Sequence, residues 1–296
     1  MSWLQQTVGA GGAKIAEFFT MFGEEVILIV MIGFFYWGVN KQVGVRVGLT
    51  VAMGCVWNPM IKNIFCRRRP YFDSESIKCL KPVEADADIY DITAQGYSFP
   101  SGHSSQSMAA YGTLAMLFKK RWLYIVAGLI IFAVGCSRVF LGVHYPTDVL
   151  CGWLLGLFCI VAVSLILRVV KKKPLVYLIL VLTAVPGLFY CKTNDYFSAM
   201  GLLFAIVLAN LFEERFVNFK PTKNPVRVVL RLAGGLAVYV VLNTLVKLPF
   251  SEEFLESQSA AQFAFRTIRY TVIMFIDFAI YPMIFDKFGK DKQEVA

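Results

Sequence analysis

Apolar residues run along this chain in long blocks, separated by short polar stretches. The blocks fall at about 22–39, 43–65, 102–118, 122–143, 146–169, 174–191, 196–213, 226–247 and 264–285. Most are near the ~20 residues needed to cross a hydrocarbon core. No block alternates apolar and polar residues in the strand fashion, and backbone groups inside a bilayer must bond within their own segment, so each block is predicted to be a helix. The pattern therefore predicts an all-α integral membrane protein with about nine spans; the short blocks at 174–191 and 196–213 leave the count open by one or two. Ahead of them, Trp3, Leu4, Val8, Ile15, Phe18 and Phe19 are interspersed with polar residues. That predicts an interfacial helix over residues 1–21, with an unstructured end as the alternative. The opening residues lack the basic region and continuous apolar stretch of a signal peptide.

Composition agrees with the pattern. Hydrophobic residues make up 57% of the chain and charged residues 17%, with mean hydropathy +0.62. A soluble domain of this size cannot cover its surface with so little charge. The net charge of +9 is unevenly spread: loops on one side of a nine-span arrangement hold 17 of the 29 Lys and Arg, including Lys119-Lys120-Arg121 and Lys171-Lys172-Lys173, and the other side holds 12. The richer side is predicted to be cytoplasmic. No basic stripe interleaved with aromatics occurs, so nucleic acid is not an expected partner. The seven cysteines show no CxxC pair and no metal-ligand spacing; Cys66 and Cys79 share the long loop 66–100, where a disulfide and two free thiols stay equally open.

Candidate chemistry concentrates in three polar clusters, all on the predicted non-cytoplasmic side. They take in the chain's two histidines. In Ser137–Asp148, Pro146 opens a helix, so His144 stands at its start and Asp148 lies one turn on, on the same face. A carboxylate that fixes one imidazole nitrogen leaves the other free to attack phosphorus. Arg138 offers a planar fork for phosphate oxygens; a helix-capping His144 with a snorkelling Arg138 is the plainer alternative. In Pro100-Ser101-Gly102-His103, Ser101 can cap a helix whose exposed N–H groups favour an anion, Gly102 permits close approach, and His103 can protonate a leaving oxygen. An ordinary Ser cap would read the same way. In the third cluster, Lys62 lies near the end of an apolar span, where charge is costly, and Arg69 precedes Pro70. Arg67 and Arg68 read as surface charge or a lipid head-group patch.

Taken together, Lys62…Arg69-Pro70, Pro100-Ser101-Gly102-His103 and Ser137-Arg138…His144…Asp148 resemble the three signature motifs of the type 2 phosphatidic acid phosphatase family. The resemblance spans roughly residues 22–169. It implies a helical bundle in which His144 forms a phosphohistidine, His103 protonates the leaving group and Asp148 orients His144. Lys62, Arg69, Ser101, Gly102 and Arg138 would bind the phosphoryl group, with no metal and no other cofactor. It also implies a phosphatase core at 22–170, covered by loop 66–100, and an additional region at 171–296 carrying about four further membrane helices. Nine spans with an exterior site are similar in topology to the sphingosine-phosphate phosphatase and glucose-6-phosphatase branches.

The function this implies is hydrolysis of a lipid phosphate or pyrophosphate such as undecaprenyl diphosphate, phosphatidate, phosphatidylglycerol phosphate or a sphingoid phosphate. It would act on the non-cytoplasmic side of a cell membrane, with bilayer lipid as the partner and the oligomeric state open. A soluble sugar phosphate is the alternative substrate. A lipid carrier or scramblase on the same fold is the alternative of another class, and the intact clusters count against it; the many spans count against a vanadium haloperoxidase, which shares the motifs. In the additional region, Asp277 is expected to pair with Arg266 or Arg269, and Asn243 to join helices. Asn58-Pro59 is expected to bend its helix.

Overall fold

The computed structural model describes residues 1–288, and among these every regular element is helical. In chain order the main helices are α1 (Ser2–Thr20), α2 (Glu25–Val39), α3 (Lys41–Phe65), α4 (102–118), α5 (Arg121–Phe140), α6 (Pro146–Val169), α7 (Lys173–Phe189), α8 (Asn194–Val217), α9 (Pro225–Lys247) and α10 (Ala260–Phe285). All nine predicted spans are helical over nearly their whole length. Residues 289–296, which end the region 171–296 and supply Lys290 and Lys292 to the charge count, lie outside the described residues.

Five helices, α5, α6, α8, α9 and α10, are long and apolar enough to cross a membrane on their own; Gly11–Gly23 and Glu25–Val39, bent by 44°, add a sixth if they form one span. The rest of the nine fall short for physical reasons. Helix α3 is 25 residues long, but it is the central post of the bundle, and its buried positions include Gly44, Gly48, Thr50, Gly54 and Asn58. An interior helix needs close packing rather than lipid-facing Leu and Ile. Helix α4 opens on a serine-rich turn and passes through a π-helical stretch at Met108–Gly112. Helix α7 is simply short. The lipid-facing helices show the reverse: Leu129 and Phe132 on α5, and Leu154, Phe158 and Leu165 on α6, are exposed.

Asn40 starts α3 by accepting from the Gln42 and Val43 amides at 2.9 and 3.3 Å. Its Leu49, Met53 and Val56 then form the core with Leu155, Cys159 and Val163 of α6 and Met200 and Leu203 of α8. Two glycines on α6 set the approach of α4. A Cβ at Gly152 would stand 2.6 Å from the Ser101 carbonyl oxygen, and one at Gly156 would stand 2.5 Å from that of Ser105. This is a G-x-x-x-G contact that lets two backbones touch. A methyl at either position forces the helices apart, at a cost of about 1–3 kcal/mol for overpacking.

Helix α1 breaks at Gly9, where φ is 59°, and lies against α5. The Gln5 amide stitches it to the long loop and to α5 by donating to the Lys78 and Phe140 carbonyls, each at 2.9 Å. Trp3, Val8, Ile15 and Phe18 are exposed along it. In the additional region α8 and α10 pack closely at Gly201, and Phe197 stacks on Phe263 with ring centroids 4.2 Å apart.

Two expectations fail in this additional region. Asp277 makes no ion pair with Arg266 or Arg269: it is buried beside Gly235 on α9, and its Oδ1 has no partner among the described residues. Two to three helical turns separate it from those arginines, which face the opposite end of α10. Asn243 does not join helices through its carbonyl, since Oδ1 is likewise without a partner among the described residues. In the long loop, Cys66 and Cys79 are free thiols.

Candidate functional site

The three polar clusters meet at one end of the bundle, where α3 ends and α4 and α6 begin. His144 occupies the turn between α5 and α6. It is 2% exposed, and its Nδ1 faces Asp148 Oδ2 at 3.6 Å. That spacing is longer than a hydrogen bond, and Nδ1 has no other partner among the described residues. Asp148 is held elsewhere. Its Oδ2 accepts from the Tyr145 amide at 2.8 Å, capping the start of α6, and its Oδ1 accepts from Arg67 Nη1 at 2.9 Å. The carboxylate is thus fixed from two sides, with its second oxygen turned toward the imidazole.

The cations take up distinct positions around this pair. Arg69 is 3% exposed; its Nε donates to the Gln95 and Gly96 carbonyls at 2.9 and 3.1 Å, and its Nη1 to the Val143 carbonyl at 3.1 Å, next to His144. It therefore ties loop 66–100 to the histidine turn. Arg138 is equally buried, donates from Nη1 to Thr20 Oγ1 at 2.9 Å, and has an Nε with no partner among the described residues. Lys62 lies one turn before the end of α3, with its Nζ 3.9 Å from Asp195 Oδ2 at the start of α8.

Ser101 is fully buried and caps α4. Its Oγ faces the Ser104 amide at 3.4 Å and accepts from Ser104 Oγ at 2.9 Å, while its own amide donates to the Asp148 carbonyl at 2.9 Å. That last bond locks the α4 N-terminus to α6. A Cβ at Gly102 would meet only Asn58 Oδ1, at 3.7 Å, so open space lies over this residue. His103 is partly exposed beneath the Met21–Gly23 corner, and the charges of Arg138, Lys81, Lys62 and Arg69 all bear on it. Glu24 and Lys81 form an ion pair across the mouth, joining that corner to the long loop.

Burial holds the His144 imidazole well below the ordinary histidine value, and the positive charges of Arg69, Arg138 and Lys62, with a smaller contribution from His103, act in the same direction. At neutral pH the ring is uncharged, as a nucleophile requires. Burial also pushes the Tyr145 phenol up to about 12, helped by its bond to Asp73.

All eight residues singled out from the sequence lie at this end of the bundle. Three further contributors went unrecognised. Arg67, read as surface charge, bonds Asp148 and Thr147 and stacks on the Tyr145 ring at 3.9 Å. Asn58, read as part of a helix bend, is 3% exposed and donates to the Pro100 carbonyl at 3.2 Å and to Ser105 Oγ at 3.4 Å. Gln95 is buried under the loop and folds it by bonding the Val83 amide and the Glu84 carbonyl. The signal for Asn58 was an amide set between apolar residues, away from the ends of its helix; for Arg67 it was the company of two further arginines.

Comparison with known proteins places two family matches on the chain. Residues 43–172 match the PAP2 superfamily, and residues 197–293 match the transmembrane extension of PAP2 superfamily phosphatases. Among similar proteins, the undecaprenyl-diphosphatase of Sulfolobus acidocaldarius is 29% identical over 40% of this chain and 52% of its own length. Phosphatidylglycerophosphatase B of Bacillus subtilis is 43% identical over 22% of this chain and 37% of its own. Lipid A 4'-phosphatase of Bacteroides thetaiotaomicron is 29% identical over 50% of this chain and 66% of its own. The matched stretch spans between 37% and 66% of the length of these relatives.

Proposed function

The chain belongs to the PAP2 superfamily, and from that premise we propose that it is an integral membrane hydrolase that removes phosphate from a lipid phosphate or pyrophosphate through a phosphohistidine on His144. The observation that carries this reading is the buried His144 ring, set 3.6 Å from a carboxylate fixed by other bonds, with the buried cations Arg69 and Arg138 and with Lys62 around it.

In the first step His144 Nε2 attacks phosphorus, the P–O bond to the lipid breaks, and His103 gives a proton to the departing oxygen. Asp148 stabilises the positive charge that grows on the His144 ring. In the second step His103 accepts a proton from water, the resulting oxygen attacks phosphorus, the P–N bond breaks, and inorganic phosphate leaves. Lys62, Arg69, Arg138 and the N–H group at Gly102 hold the phosphoryl oxygens, and Ser101, whose own amide is bonded to the Asp148 carbonyl, sets the turn that presents that group. Charge-assisted bonds of this kind contribute about 1.5–3 kcal/mol each. Proton transfer by a positioned histidine contributes roughly 10²–10⁴-fold.

A lipid fits better than a soluble sugar phosphate. A narrow apolar cleft lies between α2, α3, α8 and α10, lined by residues such as Leu28, Ile32, Val51, Ile206 and Phe278, and it reaches Gln106, one turn beyond Gly102. Its apolar lining suits the hydrocarbon part of a lipid rather than a sugar. The relatives named above act on lipids with different head groups, so the proposed class is undecaprenyl diphosphate, phosphatidate, phosphatidylglycerol phosphate, a sphingoid phosphate or a phosphorylated lipid A. The site is proposed to face the non-cytoplasmic side, on the charge partition of the loops.

The test is phosphate release by the purified protein on a panel of these lipids and on glucose 6-phosphate, in EDTA. Turnover of one or more lipids in EDTA supports the reading. Turnover of the sugar phosphate alone, activity that needs added divalent metal, or lipid movement between vesicles without phosphate release overturns it.

A further inference from the structure

Helices α9 and α10 hold a second group of cations that the reaction above does not use. Arg269 is 4% exposed, and its Nε has no partner among the described residues. Arg266, one turn nearer the start of α10, is half-buried; its Nε is likewise without a partner, and its Nη1 reaches only Ser198 Oγ, at 3.4 Å. Lys247 in the last turn of α9 lies within electrostatic reach of both arginines. Among the described residues none of the three enters an ion pair. The nearest carboxylates, Glu84 and Asp195, act on Arg266 only from a distance, and Asp195 faces Lys62.

Two neutral acceptors in the same patch are also without partners: Asn243 Oδ1 and Gln262 Oε1. Asn243 is placed on α9 between Tyr239, whose side chain lies against Tyr270, and Lys247. Four of the unpartnered buried polar atoms thus come from two facing helices. Buried arginines inside a membrane protein are costly unless an anion meets them. The Arg269 guanidinium lies over the rings of Tyr270 and Phe265, 4.9 and 5.8 Å from their centroids, but no carboxylate of the described residues pairs with it.

We propose that Lys247, Arg266 and Arg269 form a binding site for a phosphate anion, separate from the His144 centre and built by the additional helices. The arginine forks suit phosphate oxygens in a way that a carboxylate-free patch of lysines would not. The patch opens at the end of the bundle where Gln262 bonds Asn194 and Asp195 meets Lys62, so it lies at the level of the candidate catalytic pocket. That depth, beside apolar helices that face the bilayer, is where the head group of an anionic lipid sits. Free inorganic phosphate has the same chemistry and is the other source.

The test uses full-length His144→Ala protein, so that no turnover intervenes, and reads Tm in phosphatidylcholine bilayers with and without phosphatidylglycerol. Phosphatidylglycerol is expected to raise Tm by roughly 3 °C. Arg266→Gln and Arg269→Gln are expected to lose at least half of that rise. Asn243→Asp, which supplies a carboxylate from the chain itself, is expected to raise Tm in phosphatidylcholine alone and to abolish the response. This variant separates loss of the site from loss of the fold. A rise with sodium phosphate in pure phosphatidylcholine, beyond that of sodium chloride at equal ionic strength, assigns the anion to free phosphate; a rise with phosphatidylglycerol only assigns it to a lipid head group. A response that survives unchanged in all three variants, or no response to either phosphate source, overturns the proposal.

Discussion

Arg67 Nη1 donates to Asp148 Oδ1 at 2.9 Å across 81 positions of sequence, while the other Asp148 oxygen faces His144. The same guanidinium bonds Thr147 and stacks on Tyr145, so it clamps the start of α6 from the side of the long loop. Its role is positional, since it holds the carboxylate that supports the imidazole. Arg67→Ala is expected to lower kcat about tenfold, or about 1.4 kcal/mol of transition-state stabilisation, with KM little changed. Arg67→Lys should recover part of the loss, because it keeps the charge and gives up the fork. A KM effect with unchanged kcat would mean that Arg67 touches substrate instead.

Asn58 carries the N-terminal turn of α4 from the neighbouring helix. Removing its amide leaves the Pro100 carbonyl and Ser105 hydroxyl without that donor in a buried place, which costs roughly 1–3 kcal/mol. Asn58→Ala is expected to lower Tm and, assayed well below the new Tm, to reduce turnover through a displaced Ser101–His103 turn. Asn58→Leu, close in size and without the amide, should behave the same way. Full activity in both variants would sink the positioning role.

The motifs were legible because each is a short run whose spacing encodes geometry: His144 and Asp148 are one helical turn apart, and Ser101 directly precedes the helix it caps. All nine apolar blocks were legible as helices because an apolar stretch of membrane-crossing length must satisfy its backbone groups within itself, which is a local requirement. The features that escaped the sequence depend on distant neighbours. Arg67 matters only because the chain returns to it 81 residues later, and Asn58 only because the Pro100 carbonyl lies over it. The Gly152 and Gly156 contact was available as a G-x-x-x-G pair in an apolar helix, but its partner helix was not. The expected pairing of Asp277 with Arg266 or Arg269 fails because membership of one helix does not make two side chains neighbours, and Asp277 lies at the other end of α10. The state of Cys66 and Cys79 is open in the sequence because two residues in one loop carry no distance.

The ionisation of His144 can be read directly. Its folded-state value lies below 6.5, so protonation favours the unfolded chain. The contribution of this group to stability is therefore complete above pH 6.5 and declines as pH falls below it. In a His103→Gln variant the chain retains one imidazole, and an NMR titration of that ring reports His144 alone. A midpoint below 6.5 is expected, together with a loss of Tm on acidification that is absent in His144→Gln. A midpoint at or above 6.5 would mean that the ring is either solvated or paired as a cation.

Sidedness is testable without reference to chemistry. Ser76 in the long loop and Lys172 between α6 and α7 are both exposed. With the exposed thiols Cys66 and Cys136 replaced by serine, Ser76→Cys is expected to react with a membrane-impermeant maleimide in intact cells, and Lys172→Cys only after permeabilisation. Reversed labelling would move the site to the cytoplasmic face and leave the histidine chemistry as it stands.

The central claim is that phosphorus is bonded to His144 during turnover. Rapid acid-free quench of the purified protein with a ³²P-labelled lipid phosphate, followed by digestion and peptide mapping, measures this directly. The expected result is alkali-stable, acid-labile label on the peptide carrying His144, absent from His144→Ala and accumulating in His103→Gln, where the second step is slowed. Label that persists in His144→Ala, or that maps to the peptide carrying His103, would contradict the account.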